Sequence, residues 1–412
     1  MKAEIISIGT ELLLGDIVNT NAQFLSRELA ALGIDVYFQA VVGDNAGRLK
    51  EVIASAYEKS DMIITTGGLG PTFDDLTKET AAEYFGLEME FNEHAYKRME
   101  KFFNRIGREM TPNNKKQAYV PKGSIVMQNS RGTAPGVIME KDGKIFVMLP
   151  GPPKEMETMF KEQVRPFLAG KQEFTFVSRI LRIAEIGESS MEAKVRDLVE
   201  SMENPTVAPY AKPMESYLRI TAKAENEEAA NRLIEPVAEE IKKRFKDAVY
   251  AEGDTSMAEV AGKLLMEKNL KIAVAESLTG GLVSAALIEN PGISSVFTEG
   301  ITAYSNEAKV RLLGVKEETL KKYGAVSEEC AMEMAKGAAE RAGTDVGLST
   351  TGIAGPDGGS DEKPVGTVYV GFFAQGRNFA RKFTFSGTRD RIRERAVYSA
   401  LNLLRKEVLD KK

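Results

Sequence analysis

Ser277 and Lys309 carry the most specific chemistry in this chain of 412 residues. In KIAVAESLTGGLVSAALIE, Lys271 to Glu289, an apolar run ends at Ala275, Glu276 and Ser277 follow, and Thr279, Gly280 and Gly281 open an apolar helix. Strand, tight turn and helix is the geometry that exposes a nucleophile beside unpaired helix N–H groups, which bind a phosphate or a developing oxyanion. The same residues also suit a plain helix cap at Ser277 or Thr279. EGITAYSNEAKVRLLG, Glu299 to Gly314, offers two partners for the serine, Tyr304 at a strand end and Lys309 in the helix after it. The sole histidine, His94, lies in the polar stretch FNEHAYKRM and reads as a solvated helix residue, so the serine needs another base. A lysine stripped of water loses its proton more readily and can act as that base. A third loop, TTGIAGPDGGSDEKPVG from Thr350 to Gly366, brings bare backbone at Gly352 and Gly355 within reach of a ligand.

A second constellation sits far upstream. TTGGLGPTFDDLTKE, Thr65 to Glu79, places Gly67, Gly68 and Gly70 after a buried strand and before a helix, where backbone N–H groups approach a phosphate without interference from Cβ. Thr72 belongs to the same cradle, and Asp74 and Asp75 are expected at the start of the helix. Glu11, in GTELLLGD, and Asp44, in VVGDN, follow the first two strands, so all four acids are expected to converge on one sheet edge. Such acids often only cap helices; here their mutual repulsion is relieved if a divalent cation lies between them.

The elements that position these groups are legible from periodicity. Lys2 to Ser60 reads strand, helix, strand, helix, and DMIITTGG supplies a third strand. Residues from Phe91 to Arg131 read as helical and polar, and KIFVMLPGPPKEM adds a buried strand ending in a proline-rich turn. The fold class is therefore α/β: a doubly wound domain over 1–170, a small α+β module over 171–253, and a second α/β domain over 254–412 closed by a helix from Arg389 to Glu407.

Composition removes whole classes of function. One Cys forbids an intrachain disulfide, and one Cys with one His forbids zinc or copper sites built from several such ligands, leaving oxygen-ligated divalent ions. Cys330, in SEECAMEMA, has the spacing of a helix core position. The 55 basic and 60 acidic residues give a net charge of −5, which argues against a dedicated nucleic-acid binder, and the middle module lacks the Gly-x-x-Gly loop that clamps backbone phosphates. That module reads as a spacer or dimerisation element, and a homodimer is expected. No apolar run is long enough to cross a membrane and MKAEIISIGT reads as a strand, so a cytoplasmic protein with no membrane partner is expected.

GTELLLGDIVNTN, TTGGLGPTFDD and MLPGPPKEM resemble the amino-terminal domain of the CinA (competence/damage-inducible) family, itself similar to the molybdopterin-binding MoaB and MogA proteins. AESLTGG, YSNEAK, GAVSEE, GIAGPDGG and KPVGTV resemble the carboxy-terminal CinA domain, which is similar to nicotinamide mononucleotide (NMN) deamidases, and the middle section resembles the family's KH-like module. For the first domain the resemblance implies an ADP-ribose pyrophosphatase using a divalent metal of Mg, Mn or Co type. Gly67, Gly68, Gly70 and Thr72 would contact phosphate, and Asp44 and Asp75, with Glu11 and Asp74, would hold metal or activate water. Pterin binding would use much of the same cradle.

For the last domain the resemblance implies hydrolysis of NMN to nicotinic acid mononucleotide and ammonia, without a cofactor. Ser277 would be the nucleophile, Lys309 its base and Tyr304 a proton relay or orienting hydroxyl; Leu278 replaces a cysteine common in single-domain deamidases and is expected to be neutral. The oxyanion would be held by N–H groups of Thr279 to Gly281 or of the Gly352 to Gly355 loop, and Arg389, in FSGTRDR, is the candidate for the substrate phosphate. The family name also suggests a non-enzymatic competence factor binding nucleic acid through the middle module.

Overall fold

The first strand, Lys2–Ile8 (β1), is buried at every residue after Lys2. A strand apolar on both faces belongs in the middle of a parallel sheet covered by helices, and β1 indeed pairs in parallel with Asp35–Val42 (β2) and Met62–Thr66 (β3). These residues belong to a computed structural model that describes 1–171, 174–211, 215–374 and 376–409. The last three residues of the domain expected over 254–412 thus lie outside the described residues.

A separate antiparallel pair, Met89–Phe91 (β4) and Tyr119–Pro121 (β5), precedes the rest of the first sheet. That sheet continues with Ile125–Met127 (β6), Gly136–Lys141 (β7) and Lys144–Leu149 (β8), in the order β2-β1-β3-β8-β7-β6. The four strands β2, β1, β3 and β8 are parallel, while β7 and β6 join antiparallel at one edge. Two of the helices that follow its strands start on asparagine caps. The Asn19 side chain accepts from Ala22 N–H at 3.1 Å before Thr20–Ala31, and Asn45 accepts from Arg48 N–H at 3.0 Å before Ala46–Lys59.

The stretch from Phe91 to Arg131 corrects its sequence reading. It is helical over Glu93–Arg105 only, then forms a 3-10 turn over Pro112–Ala118 and strands β5 and β6. Gly107 at φ +64° lies just beyond the helix, and Pro112 and Pro121 deny the backbone donors that a longer helix requires.

Register sets the site. Ile8 stands opposite Val42, Ser7 opposite Thr66 and Thr66 opposite Leu149, so the chain leaves the sheet at Gly9, Gly43, Gly67 and Pro150 along one carboxyl edge. Ligands of open parallel sheets bind at that edge.

The middle module is a four-stranded sheet of Thr175–Ile183 (β9), Thr206–Ala211 (β10), Ser216–Ala224 (β11) and Val249–Glu252 (β12), in the order β10-β11-β9-β12, with helices Glu188–Ser201 and Glu227–Phe245. Contacts divide the chain into two compact units, Met1–Ser178 with Thr221–Glu235 and Arg179–Ile220 with Pro236–Lys412.

The last sheet is built on Ile272–Glu276 (β13), buried at every position. It lies parallel between Phe297–Thr302 (β14) and Val346–Gly352 (β15), and Thr367–Ala374 (β16) and Arg377–Thr384 (β17) extend it antiparallel. Helix Glu328–Ala342 packs tightly on one face because small residues meet there: a Cβ on Gly347 would stand 2.0 Å from Ala335 O, and one on Gly371 2.2 Å from Ala331 O. Cys330 lies buried in this helix, as its spacing predicts. Glu276 stands opposite Thr302 on one side and Thr350 on the other, so Ser277, Ala303 and Thr351 emerge side by side at the carboxyl edge. No helix among the described residues is long and apolar enough to cross a membrane.

Candidate active site

At the end of β13 the structure brings Ser277 and Lys309 into direct contact. Ser305 caps helix Asn306–Leu313 by accepting from Ala308 N–H at 3.1 Å, which fixes where the helix starts. Helical side chains tilt toward the amino terminus, so Lys309 reaches back over the first turn. Its Nζ meets Ser277 Oγ at 3.0 Å, Ala303 O at 2.9 Å and Tyr304 O at 3.0 Å. Lys309 is 1% exposed and Ser277 8%, and no carboxylate among the described residues pairs with the amine. Burial holds the Lys309 ammonium below its ordinary range, with a smaller opposing effect from Cys330, whose own thiol burial pushes up to about 11. The three contacts occupy the three tetrahedral positions beyond Cε: the ammonium donates along all three, and once a proton is lost two N–H bonds keep the carbonyls and the lone pair is left for the serine hydroxyl.

The turn after Ser277 differs from its sequence reading. The N–H groups that open helix Leu282–Ile288 do not face a ligand, because the buried Glu276 carboxylate caps them. Its Oε2 accepts from Gly281 N–H at 2.9 Å and Val283 N–H at 3.0 Å, and its Oε1 from Ser284 N–H at 2.8 Å and Ser284 Oγ at 2.7 Å. Gly280 N–H bonds Ser277 O at 3.2 Å, and Thr279 Oγ1 pairs with Thr350 Oγ1 at 2.7 Å inside the protein. Gly280 and Gly281, at φ +61° and +99°, serve the turn itself.

Gly352 has a packing reason, since a Cβ there would meet Thr367 O at 2.7 Å. Tyr304 touches Lys309 through its carbonyl. The residue is 63% exposed and its hydroxyl faces Arg389 Nη2 at 3.4 Å, so it is not a relay between two groups that already touch. Arg389 also donates to Gly355 O at 2.8 Å, which gathers Tyr304, Arg389 and Gly355 on one rim. Glu276 and Arg393 went unread in the sequence. An acid directly before a turn-and-helix signal, and an arginine one helical turn after Arg389, are the marks that pointed to them.

In the first domain the glycine loop has the expected form. Gly67 at φ +109° sits where a Cβ would collide with Ile8 O at 2.1 Å, and Gly68 at φ +67° packs on the Thr77 hydroxyl. The acids divide rather than converge. Asp44 Oδ2 accepts from Thr10 N–H at 2.9 Å and Thr10 Oγ1 at 2.8 Å, tying the first two loops together. Asp75 Oδ2 accepts from Thr72 N–H at 2.9 Å, while the Thr72 hydroxyl lies against both Asp74 and Asp75 and holds the Asp74 carboxyl below its usual range. Glu11 folds over Gly9, and the Asp75 carboxylate stands where a Cβ on Gly70 would be.

The helix there starts at Thr77, so Asp74 and Asp75 lie in the turn before it. Thr77 is drawn back to the glycine loop through Thr77 N–H on Gly68 O at 3.1 Å and Thr77 Oγ1 on Gly67 O at 2.9 Å. Among the described residues no group of three or more His, Cys, Asp and Glu side chains is arranged to hold a metal. Asn21 was also missed: its Nδ2 donates to Thr66 Oγ1 at 2.8 Å and Gly151 O at 2.7 Å, while its buried Oδ1 has no partner among the described residues. Lys116 braces the acidic turn from behind, on Thr72 O at 3.0 Å and on Asp75 O.

Family models match three segments: a probable molybdopterin binding domain over residues 4–170, a damage-inducible protein CinA KH domain over 178–251, and a CinA C-terminal domain over 254–408. A CinA-like protein of Dictyoglomus turgidum is 54% identical over 410 residues, 100% of both chains. One of Dictyoglomus thermophilum is 52% identical over 410 residues, again 100% of both. A solved CinA structure from Thermoplasma acidophilum is 37% identical and covers 40% of this chain and 96% of its own, with a TM-score of 0.37.

Proposed function

The chain belongs to the CinA family, and from that premise we propose that its carboxy-terminal domain is a serine–lysine amidohydrolase that converts NMN to nicotinic acid mononucleotide and ammonia. The observation that carries this reading is the 3.0 Å contact between Lys309 Nζ and Ser277 Oγ, with two carbonyls on the other faces of the amine. Neutral Lys309 takes the hydroxyl proton as Ser277 Oγ bonds to the carboxamide carbon. The resulting ammonium then protonates the departing nitrogen, ammonia leaves, and an acyl-serine remains. Water, deprotonated by the same amine, adds to the acyl carbon; the C–O bond to Ser277 breaks and its oxygen recovers the proton. Arg389 and Tyr304 on the rim would take the substrate phosphate. No cofactor is needed. Ammonia release from NMN by the wild type, lost in Ser277→Ala and Lys309→Ala, tests the reading.

For the amino-terminal domain the proposal is cleavage of ADP-ribose to AMP and ribose 5-phosphate with a divalent ion. The Gly67–Gly70 loop at the sheet edge supports phosphate binding. The donor set fits an ion held by one or two of Asp44, Asp74, Asp75 and Glu11 and completed by phosphate oxygens of the ligand, since no three-residue cage is preformed among the described residues. Such an ion supplies neutralisation of phosphate charge and a more acidic water. Gly67 N–H is taken by Leu149 O at 3.0 Å, so Thr72 and the amides of Gly68 and Gly70 would orient the phosphate, and Asp75 would accept a proton from water. The match to a probable molybdopterin binding domain supports a second reading, pterin binding in the same cradle. Separate assays of ADP-ribose hydrolysis and of molybdopterin-precursor binding distinguish the two. A homodimer is part of the proposal, and light scattering on the eluted protein measures it.

A further inference from the structure

The nucleophile turn holds a feature that the dyad does not explain and that separates the amides the sequence left as alternatives. Three consecutive peptide units have their carbonyl ends fastened: Ser277 O receives Gly280 N–H at 3.2 Å, Leu278 O receives Arg393 Nε at 3.0 Å, and Thr279 O receives Arg393 Nη2 at 3.1 Å. A trans peptide is planar, with its N–H directed opposite to its C=O. Fixing the carbonyls of Ser277 and Leu278 therefore fixes the direction of the N–H groups of Leu278 and Thr279. Both amides find no acceptor among the described residues, whereas Ser277, Gly280, Gly281, Leu282 and Val283 N–H are all taken. Two adjacent unpaired donors, beginning with the residue after a nucleophilic serine, match the pattern of an oxyanion hole.

We infer that the Leu278 and Thr279 amides form the oxyanion hole for Ser277 and that Arg393 is the positioning residue, aiming the Thr279 amide directly through Leu278 O and the Leu278 amide indirectly, through Thr279 O and the Gly280 N–H that holds Ser277 O. This rests on the amidase reading above and goes beyond it. Arg393, in helix Arg389–Leu409, is half-buried and stays clear of the Ser277–Lys309 contact; its fork spans two carbonyls at once, as a guanidinium can and an ammonium cannot. Its carboxylate neighbour within the described residues, Asp390, is exposed and 3.8 Å away, so the fork is held chiefly by the turn. Leu278 contributes its backbone, which is why a leucine serves at a position where related deamidases carry cysteine.

The test uses the full chain and a fluorophosphonate probe, in which Ser277 Oγ forms a P–O bond, fluoride leaves and the hydroxyl proton passes to Lys309. The phosphoryl oxygen takes the oxyanion position, so the labelling rate reads the hole whichever amide is the substrate. Arg393→Ala is expected to label about 10- to 100-fold more slowly than the wild type, less than the loss of a donor outright. Added methylguanidinium should restore much of the rate, and Arg393→Lys should fall between. With NMN the same variant should lower kcat and leave KM within about twofold. Arg391→Ala, on the exposed start of the same helix, serves as the control.

An Arg393→Ala chain that labels as fast as the wild type overturns the inference and leaves the amidase reading standing. A slowed variant that methylguanidinium does not restore overturns it in favour of a folding defect. A wild type no faster than Ser277→Ala removes the nucleophile, and this inference with it. Fast labelling without ammonia from NMN overturns only the substrate assignment.

Discussion

Among the described residues Lys78 and Lys309 are buried beyond the carboxyl ends of the parallel strands of their domains, and they differ in what their amines touch. Lys78, in the first turn of the helix after the glycine loop, donates to Gln117 O at 2.7 Å, and burial pulls it down to about 8. Lys309 is lowered by the same cause, yet its amine also faces a hydroxyl that opens to the site. Burial makes either lysine easier to deprotonate; only the geometry at Lys309 makes it a base for a nucleophile. The first domain's edge carries carboxylates on hydroxyls, suited to an ion and phosphates, and the last domain's edge carries an amine on a hydroxyl, suited to acyl transfer.

The comparison breaks most visibly by exchanging which lysine is lost. Lys309→Met should reduce ammonia release from NMN by about 10³-fold or more, as loss of a general base from an acting pair does. Lys78→Met should leave that rate within about twofold, and a coupled assay for ammonia reads both. The pH profile sharpens the same point. The rate should climb as Lys309 loses its proton and level off below the ordinary lysine value of 10.5.

Changes of a few kcal/mol come next. Glu276→Gln keeps the shape of the cap but loses acceptor capacity for donors that now have it, and should destabilise the last domain by about 2–4 kcal/mol in denaturant unfolding. Gly67→Ala combines a left-handed φ with a collision against Ile8 O. It should cost about 2–3 kcal/mol and abolish ADP-ribose hydrolysis, with ammonia release from NMN unchanged.

The smallest effect is a gain. Below its lowered folded-state value Lys309 is charged both folded and unfolded, and the burial penalty is full. As pH rises toward 10.5 the unfolded chain binds the extra proton and the penalty disappears. The part of the Lys309→Met effect that depends on pH should therefore be most stabilising at low pH and fade as pH approaches 10.5, measured as the shift in Tm against pH.

Much of this is legible in the amino-acid sequence. The buried strands ending at Ile8, Thr66 and Glu276 are continuous apolar runs, and glycines and asparagine caps mark the turns and helices beyond them. Ser277 and Lys309 can be paired by their types alone because the scarcity of histidine leaves few bases to consider. The features that stay hidden depend on direction, which spacing does not encode. Glu276 could have faced the ligand and instead turns to cap its own helix; Tyr304 offers a carbonyl where a hydroxyl was expected. Asp74 and Asp75 are drawn out of the helix because Thr77 is tied to the glycine loop, and the acids along that edge choose neighbouring hydroxyls over one another.

The functional reading stands or falls on Ser277 and Lys309 acting together on an amide. Ammonia release from NMN, without added metal, by the purified wild type and by Ser277→Ala and Lys309→Ala measures this without intermediaries. The expected result is release by the wild type and its loss in both variants, while their Tm values stay close to or above that of the wild type. Release by Ser277→Ala at the wild-type rate, or none from the wild type, would contradict it and return Ser277 to the role of a turn residue.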